Sequence, residues 1–372
     1  MPGAETVVVG GGLVGAAAAF ELVARGVDTL LIDRAHPGRA TDAGAGILSP
    51  ETSLEADEAT AAFAGAAGAH HRRLEARLRE EGIADTGYAP VGALRLAQRE
   101  GEDPWMEEAV ALLTRRWPGA VTEVDPAEAA ERFPPLGPVR RALFSPGAAR
   151  LDGRLQRAAL LEAAARRGLR RVAAEVTGLE GAGGRLGTVV AGNRRISCGA
   201  VLLCAGAWAE PLGRALGVSL PVRPVKGQIV HLCLEGADST AWPIVQPVLS
   251  HYLVSWPGGR VACGGTFEPE AGYDHRPTAA GLRELLREGL RTAPGLGPAT
   301  LVEVRVGLRP GSPDDRPLVG PVPGWDNVWA AVGHGPEGLL LGPYSAALLA
   351  DLVTGGTPGP ELAPLDPGRF SR

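Results

Sequence analysis

Residues 6–9 read Thr6-Val7-Val8-Val9, a β-branched run without polar alternation. Such a run predicts a strand buried on both faces, as in a parallel sheet. An alanine-rich helical stretch follows over residues 16–25 and closes at Gly26, where glycine can take the left-handed turn that ends a helix. A second apolar run, Thr29-Leu30-Leu31-Ile32, stops at Asp33. Helical patterns then cover residues 55–80. Residues 125–133 read as a helix with Pro126 in its first turn. Residues 153–167 predict an amphipathic helix with Leu155, Ala158, Ala159, Leu161 and Ala164 on its apolar side. A last helix is predicted over residues 345–352.

Strands fill the remaining pattern. Residues 88–96 predict one, and residues 171–196 predict a small antiparallel meander turning at 181–184 and 192–193. Val201 to Cys204 is a buried strand that runs into Ala205-Gly206-Ala207-Trp208 and a helix. Residues 246–256 and the return to Thr266 read as a hairpin around Pro257-Gly258-Gly259. Alternating strands and helices make the chain α/β.

The join between the first strand and helix carries the chemistry. Gly10-Gly11-Gly12-Leu13-Val14-Gly15 places glycines where a dinucleotide fold needs them. Gly10 permits the tight turn, Gly12 lets a pyrophosphate approach the backbone, and Gly15 lets helix pack on strand. The helix N-terminus offers free N–H groups and partial positive charge to phosphates. Asp33 stands where an acid can accept hydrogen bonds from a ribose. The motif alone does not separate NAD from FAD. Residues 39–50 form a small, glycine-rich loop whose backbone can pass close to a flat ligand.

The chain has 372 residues, about 2.5 domain equivalents, yet no linker divides it. Hydrophobic residues make up 45%, which excludes a disordered chain despite 53 Gly and 32 Pro. The net charge of −5 argues against a dedicated nucleic-acid binder. The longest apolar run, residues 7–20, is too short to span a membrane, and no basic segment suggests a signal peptide. Cys198, Cys204, Cys233 and Cys263 lack metal-like spacing and read as free thiols in a reducing cytoplasm. No metal is expected. Lys226 is the one lysine among 37 basic residues, a bias typical of a GC-rich genome. Composition therefore gives no reason to choose any one arginine.

Taken together, these motifs resemble the D-amino-acid oxidase superfamily of FAD enzymes, and most closely its glycine oxidase and D-amino-acid dehydrogenase branch. Ala45-Gly46-Ile47 is similar to the family's Ala-Gly-Met step against the flavin; Asp33 replaces the more usual Glu. Gly307-Leu308-Arg309-Pro310-Gly311, followed by Arg316-Pro317-Leu318-Val319-Gly320, is close to a second family pattern. The resemblance implies a Rossmann-type FAD-binding domain over residues 1–85, 145–222 and 300–372. An α+β substrate domain on a large, mostly antiparallel sheet would fill residues 86–144 and 223–299. It extends the cofactor-binding set to Leu13, Val14, Arg34, Arg39, Thr41, Val176, Ala205, Gly206, Trp208, Gly307 and Arg309. The turn Gly333-His334-Gly335-Pro336-Glu337-Gly338-Leu339-Leu340 joins that set.

The resemblance to the glycine oxidase branch implies that Tyr252 lies beside a substrate carboxylate, and the Arg309 guanidinium is the natural two-pronged partner of that carboxylate. His251, its neighbour along the strand, should face the other way, and Lys226 reads as structural. Phe267 and Pro336 are candidates for the pocket wall. No Cys lies near residues 311–314, so FAD is expected to be non-covalent. The resemblance implies oxidation of glycine or a small D- or N-substituted amino acid, with oxygen or another electron acceptor. Two alternatives stay open. One is a dehydrogenase of D-amino-acid, D-hydroxyproline or opine type; the other is a flavin subunit of a hetero-oligomer. A homo-oligomer is equally compatible.

Overall fold

The computed structural model describes residues 3–54 and 57–371. A central sheet holds five parallel strands in the order Val328–Val332, Arg194–Leu203, Ala4–Val9, Thr29–Asp33 and Arg170–Ala173. Leu318–Pro321 and the hairpin Val176–Ala182/Arg185–Ala191 extend it antiparallel. Side chains alternate across the pleat. Val8, Leu31 and Leu202 face the helices Leu13–Ala24, Glu58–Glu80, Gly153–Arg166 and Gly338–Val353. Val7, Val9, Leu30, Ile32 and Leu203 face a second core with Leu186, Val189 and Ile196. Burial on both faces explains the unbroken apolar runs.

The second sheet runs Thr300–Gly311, Arg223–Cys233, Arg260–Gly264, Tyr252–Trp256, Ile244–Pro247, Ala93–Ala97, Arg141–Ser145 and Thr122–Val124. It is antiparallel except between Ile244–Pro247 and Ala93–Ala97. Ala279–Thr292 packs Leu285 on one face; the other face turns toward the first sheet. This is the expected α/β architecture, with a parallel nucleotide-type sheet beside a large antiparallel one.

Several details differ from the sequence pattern. Residues 300–311, expected with the nucleotide-binding segments, pair with Arg223–Cys233 along the second sheet. Residues 246–256 hold two separate strands, and the tight hairpin joins only Tyr252–Trp256 to Arg260–Gly264. Gly258 and Gly259 turn it at φ of 77° and 74°. Along Gly153–Arg166, Ala159, Leu161 and Ala164 are buried as expected, but Leu155 and Ala158 are exposed, and Gln156, Leu160 and Ala163 complete the buried stripe. The last helix begins at Gly338 rather than residue 345 and includes Pro343. Proline removes the N–H that would bond the Leu339 carbonyl. His71 Nε2 compensates, lying 3.0 Å from that carbonyl and 2.9 Å from the Leu340 carbonyl. The helix predicted to begin at residue 55 runs Glu58–Glu80 behind its Asp57 cap; residues 55 and 56 lie outside the described residues.

Burial also sets an acid limit. His70, His71, His231 and His334 are all held down at about 4 by burial, below their ordinary 6.5. The unfolded chain therefore takes up protons on these rings between pH 6.5 and 4, where the folded chain does not. Stability falls as pH drops through that window, by at most about 1.4 kcal/mol per pH unit for each ring. Thermal melts should show a midpoint that declines from pH 7 to pH 4.5. A flat midpoint would refute the account.

Candidate active site

A cavity of about 720 Å³ lies between the two sheets. One end is built by the first strand, its turn and its helix. Gly10 has φ +104°, and a Cβ there would sit 2.4 Å from the Cys204 carbonyl. Gly15 is tighter still, since its Cβ would meet the Gly10 carbonyl at 1.8 Å. At Gly12 a Cβ would meet nothing nearer than Thr41 Oγ1, at 3.3 Å. No side chain of Gly12 can cap the helix, and the Leu13 N–H donates to Thr41 Oγ1 at 2.9 Å. The first-turn amides and helix dipole thus lie beside open space.

Asp33 accepts from Arg39 Nη2 at 2.6 Å, and Arg157 Nη2 is 3.7 Å away. Arg34 pairs with Glu175 at 2.5 Å and stands over the Trp208 ring, which also stacks on Tyr273. Val176, Ala205 and Gly206 complete this wall. Farther along, Ala45, Gly46 and Ile47 and the turn of residues 334–340 line the same cavity. Gly46 has φ +81°, with the Leu151 backbone pressed where a Cβ would be. His334 Nε2 is 3.1 Å from Ser345 Oγ, which itself donates to the Leu341 carbonyl. The ring therefore donates through Nε2 and stays neutral at working pH.

The far end is walled by the second sheet. Arg309 Nη1 donates to the Thr266 carbonyl at 2.9 Å and to that of Lys226 at 3.4 Å. Its guanidinium lies flat over Gly227, where a Cβ would be 2.2–2.5 Å from Nη1, Cζ and Nη2. At Gly265 a Cβ would meet both Arg309 Nη2 (2.9 Å) and Tyr252 Oη (3.0 Å). Glycine is thus the floor on which the two groups converge. Burial pushes the Tyr252 phenol up to about 12 against the pull of Arg309, so it keeps its proton.

Of the residues expected from the sequence, the wall includes all but Gly15, Gly333 and Phe267. Gly15 serves from behind as the helix seat. Gly333 turns at φ +75° against Leu318. Phe267 is 71% exposed. His251 bonds Glu284 at 2.9 Å, away from the cavity. Lys226 is buried with Nζ 3.5 Å from Glu268. Sequence reasoning missed Arg95, Gln246 and the floor at Gly227. A lone arginine inside Ala93-Leu94-Arg95-Leu96-Ala97 was the available signal.

The chain matches the family described as DAO, FAD dependent oxidoreductase, over residues 5–352. It belongs to that family. It is 35% identical to the glycine oxidase of Pseudomonas putida over 370 residues, 98% of each chain. Among solved structures, the iminodiacetate oxidase of Chelativorans sp. BNC1 superposes with a TM-score of 0.92 at 36% identity, covering 97% of this chain and 98% of that one. The glycine oxidase of Geobacillus kaustophilus gives 0.90 at 29% identity, covering 99% and 98%.

As a family member the protein is a FAD-dependent oxidoreductase, and its cavity fits the cofactor. The first-turn amides beyond that of Leu13, with the open approach at Gly12, would suit a pyrophosphate, Asp33 a ribose, and the lining at 45–47 and 334–340 a flat ring. All four cysteines are free; Cys204 is the one of them that lines the cavity, beside Gly10 and Gly15 at the nucleotide-type end, and burial pushes its thiol up to about 12, away from the reactive thiolate. Acid precipitation should therefore release the yellow colour into the supernatant; flavin retained on the pellet would mean a covalent link. Among the described residues no helix is long and apolar enough to cross a membrane, and no residue group could hold a metal.

Proposed function

We propose that the protein oxidises the carbon–nitrogen bond of a small amino acid: glycine, or a D- or N-substituted relative. The observation that carries this reading is Arg309 beside Tyr252 at the cavity's sheet-walled end, both resting on glycine. The relatives named for glycine and iminodiacetate oxidation support it.

Arg309 holds the substrate carboxylate by two charge-assisted bonds, and the Tyr252 hydroxyl donates a third. That anchoring turns the Cα–H toward the 45–47 and 334–340 walls, and orientation supplies much of the rate. FAD, when bound, supplies the two-electron acceptor. The Cα–H leaves with its electron pair, and the nitrogen lone pair closes the C=N bond. Water then adds to the imine and expels the amine, leaving an oxo acid. The neutral His334 takes no proton in this scheme, so the substrate must arrive with its amine uncharged. Reoxidation by oxygen would yield peroxide; a dehydrogenase would use another acceptor.

Glycine, sarcosine, D-proline and D-alanine are to be mixed anaerobically with the holoenzyme. Bleaching of the oxidised flavin by at least one of them is expected. No bleaching by any amino acid, with bleaching by a 2-hydroxy acid, would overturn the reading. Oxygen uptake compared with dye reduction under argon then identifies the acceptor.

A further inference from the structure

Lys226 is the chain's one lysine, and its side chain is 1% exposed. It stands on Arg223–Cys233 next to the floor glycine, Gly227. Gly227 and Ile229 line the cavity. Side chains alternate along a strand, so Lys226 and Gln228 point to the reverse face. Gln228 shows the direction, since its amide meets Thr278 and Gly281 at the start of helix Ala279–Thr292. An ammonium buried beneath the floor needs a counter-charge. Glu268 Oε2 lies 3.5 Å from its Nζ and Asp274 Oδ2 lies 3.9 Å away.

The Glu268 carboxylate leads back to the cavity. Its other oxygen, Oε1, accepts from Gln228 Nε2 at 2.7 Å and from Thr266 Oγ1 at 2.5 Å. Thr266 Oγ1 in turn accepts the Gln228 N–H at 3.0 Å. Main-chain bonds join the same residues: the Thr266 N–H donates to the Gln228 carbonyl, and Lys226 and Glu268 exchange both of their N–H···O bonds. Thr266 is thereby fixed by side chain and backbone, and its carbonyl takes Arg309 Nη1 at 2.9 Å. The second carbonyl that holds Arg309 belongs to Lys226 itself. Burial pushes the Glu268 carboxyl up, but the bonds from Thr266 and Gln228 and the Lys226 charge outweigh it and hold the group below its ordinary value. A buried polar network whose members all find partners is rigid, and this one ends on the substrate anchor.

We propose that the Lys226–Glu268 ion pair positions Arg309 for the substrate carboxylate. The relay runs from the Lys226 ammonium to Glu268, from Glu268 to the Thr266 hydroxyl, and from the Thr266 carbonyl to the guanidinium. Without Lys226, the Glu268 carboxylate loses its counter-charge and turns toward water. Thr266 then loses its acceptor, and the fork over Gly227 loses its aim. Asp274 cannot substitute, being an anion itself and held by Arg276 at 2.9 Å. Lys226 and Glu268 do not line the cavity; they are positioning residues. This rests on the amino-acid oxidation reading and names what sets its carboxylate anchor.

Lys226→Met keeps the length of the side chain and removes its charge. It is expected to lower kcat/KM for N-methylglycine on the order of tenfold, with the flavin-to-protein absorbance ratio unchanged. Glu268→Gln should do the same, and the double variant should be no worse than the poorer single one, since the pair acts as a unit. The deciding comparison is made on top of Arg309→Met. There Lys226→Met should change kcat/KM less than about twofold, because the group it aims is gone. A drop by the same factor with and without Arg309 would make Lys226 merely structural and overturn the proposal. So would wild-type kinetics in both single variants. Should Lys226→Met fail to fold, the same comparison with Glu268→Gln decides, because the Glu268 side chain is 29% exposed.

A second readout needs no turnover. Methoxyacetate carries the carboxylate of N-methylglycine with oxygen in place of the amine nitrogen, and it is titrated against the flavin spectrum. Its Kd should rise about tenfold in Lys226→Met and in Glu268→Gln, and neither change should add to the loss in Arg309→Met. Equal affinity in the wild type and both variants would sink the positioning role even where amines are oxidised. If no amine reduces the flavin yet this pattern of affinities holds, the functional reading fails and the positioning role stands.

Discussion

Arg309→Met is expected to lower kcat/KM for amino-acid substrates about a thousandfold while FAD stays bound. The size follows from the seat of the guanidinium. One edge is tied to the Thr266 and Lys226 carbonyls, and the plane lies on Gly227 where no Cβ intervenes. The group is therefore oriented before the substrate arrives, and little is lost in ordering it. Methionine keeps the volume and removes both the charge and the fork. The loss should appear in KM and kcat together, because the carboxylate anchor also aims the Cα–H. Arg309→Lys should recover only part, since a point charge cannot reproduce two parallel bonds. The cofactor's expected phosphate and ribose contacts, at Gly12 and Asp33, lie at the other end of the cavity. Steady-state kinetics with the flavin-to-protein absorbance ratio checks both halves. Near-normal kinetics would remove Arg309 from the site, and lost flavin would move it to the cofactor.

Much of the site was legible because its demands are local. Gly10, Gly12 and Gly15 answer to one turn and one helix start, so their spacing alone carries them. Arg309 could be singled out among 36 arginines because it stands inside Gly307-Leu308-Arg309-Pro310-Gly311. Arg95 could not. Its place in the cavity wall depends on a parallel pairing of Ala93–Ala97 with Ile244–Pro247, two segments far apart in sequence. Pro343 misled for a related reason. Local propensity argues against a helix there, and the compensation comes from His71 on another helix. Leu155 and Ala158 fitted a helical period, yet the stripe that meets the core is rotated away from them. The sheet assignment of residues 300–311 likewise waited on a long-range partner. Local backbone constraints can be read along a chain; register between distant strands cannot.

The largest structural effect is expected from Gly15→Ala. Its Cβ would lie 1.8 Å from the Gly10 carbonyl and 3.3 Å from Cys204 Cβ. A backbone carbonyl cannot swing aside as a side-chain tip can, so the helix Leu13–Ala24 must lift away. That helix is packed against Gly153–Arg166 and Gly338–Val353 through Ala16, Ala17, Ala18, Ala19 and Leu22. Lifting it opens the core and pulls the first-turn amides from their place beside the cavity. The cost should reach about 3 kcal/mol or more, the upper end for overpacking, because neither contact partner can relax. Apoprotein that melts well below the wild type and does not take up FAD is the expected result. Gly12→Ala separates packing from cofactor binding. Its Cβ would meet only side chains, Thr41 Oγ1 at 3.3 Å and Arg39 Cδ at 3.9 Å, which a shift of a few tenths of an ångström relieves, and Gly12 lines the cavity. It should melt like the wild-type apoprotein yet bind FAD more weakly. If Gly15→Ala keeps wild-type melting and full flavin content, the close helix seat is not what holds the cofactor end together. If Gly12→Ala binds FAD normally, the pyrophosphate does not pass over Gly12.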